Sequence, residues 1–450
     1  MGQNSNMRLT WTRKGGWFDR EYSLSDEDEG EIVENFGENP SLIDLREAER
    51  RHGERIDLWQ TGLLCIECKN EINGRFGATP DGDLLCWSCA DSVESTEEKN
   101  LVVNTDPTEA VLSESKLHTK SLCDFVINVA TGCRHGCQFC YVPTTPGLEN
   151  RSEMLDTRAN VKDVQEDWGS YLLYRDDLPE RLRTELEMND KSKHTDRGRG
   201  VVMLSSGTDC YQDRRAAHIT QACIRELVSH GFPVRIITRS PAVVQDIDLF
   251  KEAGDLITVG SSIPSLDDEL VRAIEPNAPP PTARWKALDK LRRAGVPRFV
   301  SMSPTYPTMD RNDFWNTLTF IKALDPEVVF HEPINPRGAN FQMCVQAAEE
   351  AGKNELAESL QKLNNHDKWV EYALEQINVV QTLAEEIGGL DIHSWPDREL
   401  VKATDGELRF KLSDMRKSIS PEHFREEKAE KDESQSALAD NIDHIRTHIR

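Results

Sequence analysis

An α/β protein with a partial, TIM-like barrel of about six β/α units is what this 450-residue chain predicts, on three observations. From Phe125 to Phe330, short apolar runs alternate with stretches of helical periodicity, the pattern of a parallel sheet with crossover helices. Each run ends in small or polar residues, as barrel strands do where they carry chemistry at their C-terminal ends. Hydrophobic residues make up 37% of the chain, enough for a core in its middle, and no run reaches the ~20 apolar residues needed to span a bilayer.

Before the barrel, residues 1–60 read as a polar, partly disordered segment with an acidic run at Ser25–Glu29. Residues 61–95 hold Cys65, Cys68, Cys86 and Cys89 in C-x2-C-x17-C-x2-C spacing, inside the zinc-ribbon range. Four thiolates close a tetrahedral zinc site with no open position, so the metal is expected to be structural. A second iron–sulfur cluster is the competing reading of the same four residues. Residues 96–120 read as a linker.

Residues 121–342 form the expected barrel. A strand at 125–130 leads into a loop, and a helical stretch covers 160–186. A charged loop at 190–200 precedes the strand 201–204. A helix at 212–230, a strand at 234–237, a helix at 242–253 and a strand at 256–259 follow. A short helix near 267–274 ends at the proline-rich break Pro276–Pro281, which cannot continue it. A helix at 283–294, a strand at 298–301, a helix at 311–324 and a strand at 328–330 complete the units. Residues 343–450 are charged and helical in pattern, and the stretch from Glu422 onward is polar enough to remain flexible or form a lone helix.

The loop after the first strand carries the sharpest signal. Cys133, Cys137 and Cys140 stand in C-x3-C-x2-C spacing, followed by Tyr141. Thiolates are the ligands of iron–sulfur clusters, and a [4Fe–4S] cube normally takes four. Three leave one iron open for a substrate or cofactor. Further strand ends carry Ser205–Gln212, Thr238-Arg239-Ser240, Ser261-Ser262, Ser301–Ser303 and His331-Glu332-Pro333. Singly, each reads as a turn or a helix cap. Together they read as a binding ring. The small residues permit close approach of a ligand to the backbone. Asp209 is a candidate acceptor for an ammonium group, and Arg239 a bidentate clamp for a carboxylate.

The triplet and its following aromatic resemble the radical S-adenosylmethionine (SAM) superfamily. Ser206–Gln212, Thr238–Ser240, Ser261–Pro264, Ile274–Pro276 and Arg292–Val296 further resemble its spore photoproduct lyase branch, often labelled DNA-repair-photolyase-like. The resemblance covers about residues 120–340, and neither the zinc knuckles nor the C-terminal region. It implies a [4Fe–4S] cluster on Cys133, Cys137 and Cys140, SAM on the open iron, and cleavage of SAM to a 5'-deoxyadenosyl radical that abstracts hydrogen. It also implies SAM contacts from Ser206, Asp209, Arg239, Ser240 and Ser262. In the lyases a cysteine that donates hydrogen stands where this chain has Ser206. Cys210 is the candidate substitute, or else a core side chain.

The chain carries 79 acidic against 54 basic residues, a net charge of −25, which argues against general nucleic-acid binding, because phosphate contacts need clustered cations. The charged loop 190–200 and Arg214-Arg215 offer a local basic lip. Three readings follow: a radical SAM enzyme acting on a macromolecule, nucleic acid first; one acting on a peptide or small molecule; and a non-catalytic zinc and iron–sulfur scaffold. An enzyme of this type takes its electron from a reductant such as ferredoxin or flavodoxin. The eleven cysteines, seven of them in metal-type clusters, point to a reducing, cytoplasmic setting rather than to disulfides. No signal peptide and no membrane partner are expected.

Overall fold

The computed structural model describes residues 101–416, apart from 121, 190–193, 196–197 and 337, together with four short strands further upstream. Those four are β1 (Ser5–Thr10), β2 (Asp19–Leu24), β3 (Phe76–Ala78) and β4 (Leu84–Cys86), paired antiparallel as β1–β2 and β3–β4. Cys65, Cys68 and Cys89 lie outside the described residues, and Cys86 closes β4. Among the described residues no helix is long and apolar enough to cross a membrane.

The stretch read as a linker supplies two strands, β5 (Val102–Thr105) and β6 (Ser113–Glu114). The first barrel strand is β7 (Phe125–Ile127), and the chain then crosses to β8 (Ala130–Thr131). β9 (Tyr171–Tyr174) lies in the middle of the expected helix 160–186, where helix Ser152–Ala159 has already ended, and only the part from Leu178 is helical, in helix Leu178–Asn189. Its Tyr-Leu-Leu-Tyr run is buried on both faces, so it lacks the period-2 alternation that marks a strand in sequence. β5, β9 and β8 form a side sheet, β5–β9 parallel and β8–β9 antiparallel. β10 (His194–Thr195) and β11 (Gly198–Arg199) form a small hairpin within the charged loop.

The barrel sheet continues through β12 (Val202–Leu204), β13 (Val234–Ile237), β14 (Ile257–Ser262), β15 (Arg298–Thr305) and β16 (Val329–Pro333). A further strand, β17 (Ile392–Ser394), comes from the region read as purely helical, so the sheet runs past residue 342. Three residues are too few to show a period in sequence. β7 and β12 to β17 are parallel neighbours in chain order, and β6 adds antiparallel at the β7 edge.

Crossover helices cover the sheet by burying one stripe each. Helix Arg214–Ser229 starts where the Asp213 carboxylate accepts from Ala216 N, and it buries Ala217, Ile219, Cys223, Ile224 and Leu227. Helix Arg311–Ala323 opens on a capping box between Asp310 and Asp313. Val202, Leu204, Ile236, Val259 and Val300 form the centre of the main core.

His331 on β16 is 1% exposed, between Thr305 Oγ1 and Ser394 Oγ at 3.3 Å each. Burial disfavours its charged form and lowers its pKa to about 3. The unfolded chain binds a proton near pH 6.5 that the folded chain refuses. Stability is therefore expected to be unaffected by this group above pH 6.5. Below that it should fall by about 1.4 kcal/mol per pH unit down to the folded pKa. Denaturant unfolding of wild type and His331→Gln between pH 7 and 5 checks this. Equal slopes in the two proteins would refute it.

Candidate active site

After Ile127 the chain leaves the barrel sheet and joins the side sheet at β8, so the loop beginning at Gly132 is held between two sheets. Gly132 has φ +96°, and a Cβ there would stand 2.1 Å from the Tyr171 carbonyl oxygen. Gly136, at φ +51°, packs against Gly169. Both positions require glycine. Tight turns follow, with Gly136 N donating to Cys133 O at 3.2 Å and Cys140 N to Cys137 O at 3.0 Å. Gln138 N donates to Ile274 O at 3.0 Å, tying the loop to the far side of the barrel. Gly132→Ala should displace this loop and cost several-fold in bound iron and at least ~2 kcal/mol in stability. Iron assay and thermal unfolding measure it, and wild-type values for both would refute it.

Asp209 ties the strand ends together. Its Oδ1 accepts from Tyr211 N at 2.9 Å and Thr238 Oγ1 at 2.6 Å. Its Oδ2 accepts from Arg239 N at 2.7 Å and His135 Nε2 at 3.1 Å. Burial alone would raise this carboxyl, but the bonds and charge of His135 and the bonds from Thr238 and Arg239 outweigh it and hold the pKa at about 2. Four donors occupy the acceptor positions of a carboxylate. Asp209, expected to accept from an ammonium group, here organises the cysteine loop and two strand ends.

Arg239 is also partly committed. Its Nε donates to Glu275 Oε2 at 2.9 Å, its Nη2 reaches Ser262 Oγ at 3.5 Å, and its guanidinium lies 5.5 Å from the centre of the Phe139 ring. A bidentate grip through Nε is therefore closed, and Nη1 is the nitrogen without a hydrogen bond among the described residues. Arg284 Nη2 reaches the same Glu275 oxygen at 2.5 Å.

The other predicted residues separate. Ser206 lies on the wall of a cavity of about 440 Å³, with Asn128, Thr131, Tyr141, Leu148 and Arg151. Tyr141 Oη donates to Ser206 O at 3.2 Å, bridging the cluster loop and the β12 end. Ser262 is buried and donates to Ser303 O at 2.9 Å. Ser240 accepts from Ala242 N at 3.3 Å and caps the turn that follows, as the bland reading of that strand end had it. Cys210 is fully buried in the main core, where its carbonyl accepts from Thr220 Oγ1 at 3.0 Å, and it does not line the cavity. Its thiol is pushed up by burial. That placement fits core packing, not hydrogen donation.

Sequence reasoning gave no site role to Glu275, His135, Asn128 or Tyr141, although Tyr141 and the Ile274–Pro276 segment carry part of the resemblance. Glu275 had a signal, a charge flanked by Ala273-Ile274 and Pro276. Asn128, whose Oδ1 accepts from Gly207 N at 2.7 Å, had none.

Cys133, Cys137 and Cys140 are free thiols on one short loop. Burial raises all three, to about 12 for Cys137 and about 11 for Cys140, and neighbouring cysteines add to the shift of Cys133 and Cys137. Thiols crowded in this way suit a polycationic group that displaces their protons. Among the described residues no set of three His, Cys, Asp or Glu is arranged around a single ion. A cube asks for something else, one thiolate on each of three irons. The donor set fits a [4Fe–4S] cluster.

The sequence profile of the Radical SAM superfamily matches residues 127–321, the stretch from β7 into helix Arg311–Ala323. An uncharacterized protein of Acidianus two-tailed virus is 31% identical over 253 residues, covering 54% of this chain and 79% of its own length. An uncharacterized protein of Methanocaldococcus jannaschii is 26% identical over 185 residues, 41% of this chain and 61% of its own. Among solved structures, spore photoproduct lyase with bound AdoMet and dinucleoside spore photoproduct aligns with 80% of this chain and 95% of its own, at 14% identity and TM-score 0.46. With the viral relative covered over most of its length and the profile lying across the cysteine loop and the strand ends, the chain belongs to the radical SAM superfamily.

Proposed function

We propose that this chain is a radical SAM enzyme in which Cys133, Cys137 and Cys140 hold a [4Fe–4S] cluster and leave one iron for SAM. It would abstract hydrogen from a macromolecular substrate, with nucleic acid, in a modification or repair-like reaction, as the leading class. The observation that carries this reading is the placement of three free thiols at the mouth of the barrel, beside the cavity walled by Tyr141 and Ser206. When bound and reduced, the cluster supplies the electron that cleaves SAM to methionine and a 5'-deoxyadenosyl radical.

The chain's own residues would do the rest. Asp209 holds His135 and the β13 end in register with the cluster loop. Arg239 offers Nη1 to the SAM carboxylate, while Ser262 keeps hydroxyl lone pairs for the ribose. Ser206, at the cavity wall, faces the reacting group. Whether the outcome is of lyase or transferase type depends on the substrate. The electron would come from ferredoxin or flavodoxin. A structural zinc on Cys65, Cys68, Cys86 and Cys89 belongs to the same proposal. Cys65→Ala/Cys86→Ala should lose zinc and keep the iron–sulfur absorbance, and joint loss of both would sink the separation of the two sites.

Anaerobic turnover with dithionite, following 5'-deoxyadenosine by chromatography, tests the enzyme. A reconstituted wild type that yields none would favour the scaffold. The net charge of −25 favours a second reading, a peptide or small-molecule substrate. Oligonucleotide binding that weakens steeply with salt supports the first reading, and no binding at low salt supports the second.

A further inference from the structure

Two arginines and one glutamate are buried together behind the cysteine loop. Glu275 Oε2 takes both Arg239 Nε at 2.9 Å and Arg284 Nη2 at 2.5 Å, and the side chains of Glu275 and Arg284 are wholly buried. Glu275 Oε1 is buried with no hydrogen-bond partner among the described residues. Within the triad two positive charges against one negative leave +1, beside the Asp209 carboxylate that accepts from Arg239 N at 2.7 Å. A buried ion triad is weak evidence for stability, since desolvation consumes most of its attraction, and an orphaned carboxylate oxygen adds to that cost.

The triad sits against the cluster loop. Ile274 O accepts from Gln138 N, so the residues beside Glu275 and beside Cys137 are bonded backbone to backbone at 3.0 Å. Phe139, between Cys137 and Cys140, lies under the Arg239 guanidinium. Arg284 is fixed as well by its bonds to Pro279 O at 2.6 Å and Ser262 O at 3.0 Å, so the charges cannot swing away.

We propose that the Arg239–Glu275–Arg284 triad sets the reduction potential of the cluster held by Cys133, Cys137 and Cys140, its net positive charge making the reduced cluster easier to reach. This rests on the cluster assignment above. The step is the uptake of one electron from an external one-electron carrier, with no bond made or broken in the protein. Reduction adds negative charge beside Cys137, and a fixed cation there stabilises the product of that step.

The test is a mediated redox titration of the reconstituted full-length protein without SAM, read by the visible absorbance and electron paramagnetic resonance of the cluster. Glu275→Gln should raise the potential and Arg284→Gln should lower it. Each should change the ratio of oxidised to reduced cluster at a fixed applied potential by about tenfold, which is ~59 mV for one electron. Arg284→Lys keeps the charge and loses the planar fork, so it should stay near wild type. Shifts in the same direction for both charge removals, or Arg284→Lys moving as far as Arg284→Gln, would show a structural effect and overturn the proposal. Unchanged potentials would also overturn it. Should Glu275→Gln fail to fold, the two Arg284 variants decide the question. A wild type that binds no iron would instead overturn the cluster assignment.

Discussion

Alanine at any one of Cys133, Cys137 or Cys140 is expected to reduce iron from about four atoms per reconstituted chain to background, and to abolish SAM cleavage with it. In the proposed cluster each thiolate would serve its own iron, so no neighbour could stand in. Of the remaining free cysteines among the described residues, Cys123 and Cys210 are poorly placed to rescue the site. Cys123 is 1% exposed in a small core with Val201 and Met203, and Cys210 is fully buried in the main core. Cys123→Ala and Cys210→Ala should therefore keep both iron and 5'-deoxyadenosine production. Iron analysis under anaerobic conditions is the measurement. An equal loss in Cys210→Ala would make that residue a ligand or a reactant, contrary to its place in the core.

Arg239 carries the second large effect. With Nε engaged by Glu275 and Nη2 near Ser262 Oγ, Nη1 is the nitrogen left for the proposed SAM carboxylate. Losing a charge-assisted hydrogen bond to a carboxylate costs about 1.5–3 kcal/mol, or roughly ten- to a hundredfold in SAM affinity. Arg239→Lys should weaken SAM binding, and Arg239→Ala should weaken it further. Alanine also leaves Glu275 with Arg284 alone, so unfolding must be followed beside equilibrium binding. Lysine keeps a positive charge in place and separates the two effects. If the alanine variant folds and binds SAM as wild type does, the SAM carboxylate lies elsewhere.

The barrel was legible because its units repeat one physical motif, an apolar run followed by an amphipathic helix. β7, β12, β13, β14, β15 and β16 all fall on runs such as Val201–Leu204 and Val328–Phe330. β9 was hidden because burial on both faces removes alternation, and β17 because it is too short to show a period. In the site, the cysteine spacing is local and could be read directly. The roles of Asp209 and Arg239 could not, because each is decided by partners far along the chain. His135 is 74 residues from Asp209, and Glu275 is 36 from Arg239. A residue type and a strand end suggest what a side chain could bind. Only the packed neighbours show how many of its bonds are already spent.

The side sheet has a consequence for what can be cut out and studied. Asp106, just beyond β5, accepts from Thr131 Oγ1 and from Arg151 at 2.5 Å each, so a residue upstream of the recognisable segment fixes the start of the cysteine loop. At the other end, β16 and β17 close the sheet beyond residue 321, where the profile match stops. The segment shared with relatives and the segment able to stand as a physical object are thus different lengths of chain. A fragment trimmed to the first would carry all three cysteines and still expose one raw edge of the barrel and an unanchored loop. A fragment from Leu101 to Met415 keeps β5, β6 and β17 on the strands they pair with, and with them the Asp106 anchor of the cysteine loop.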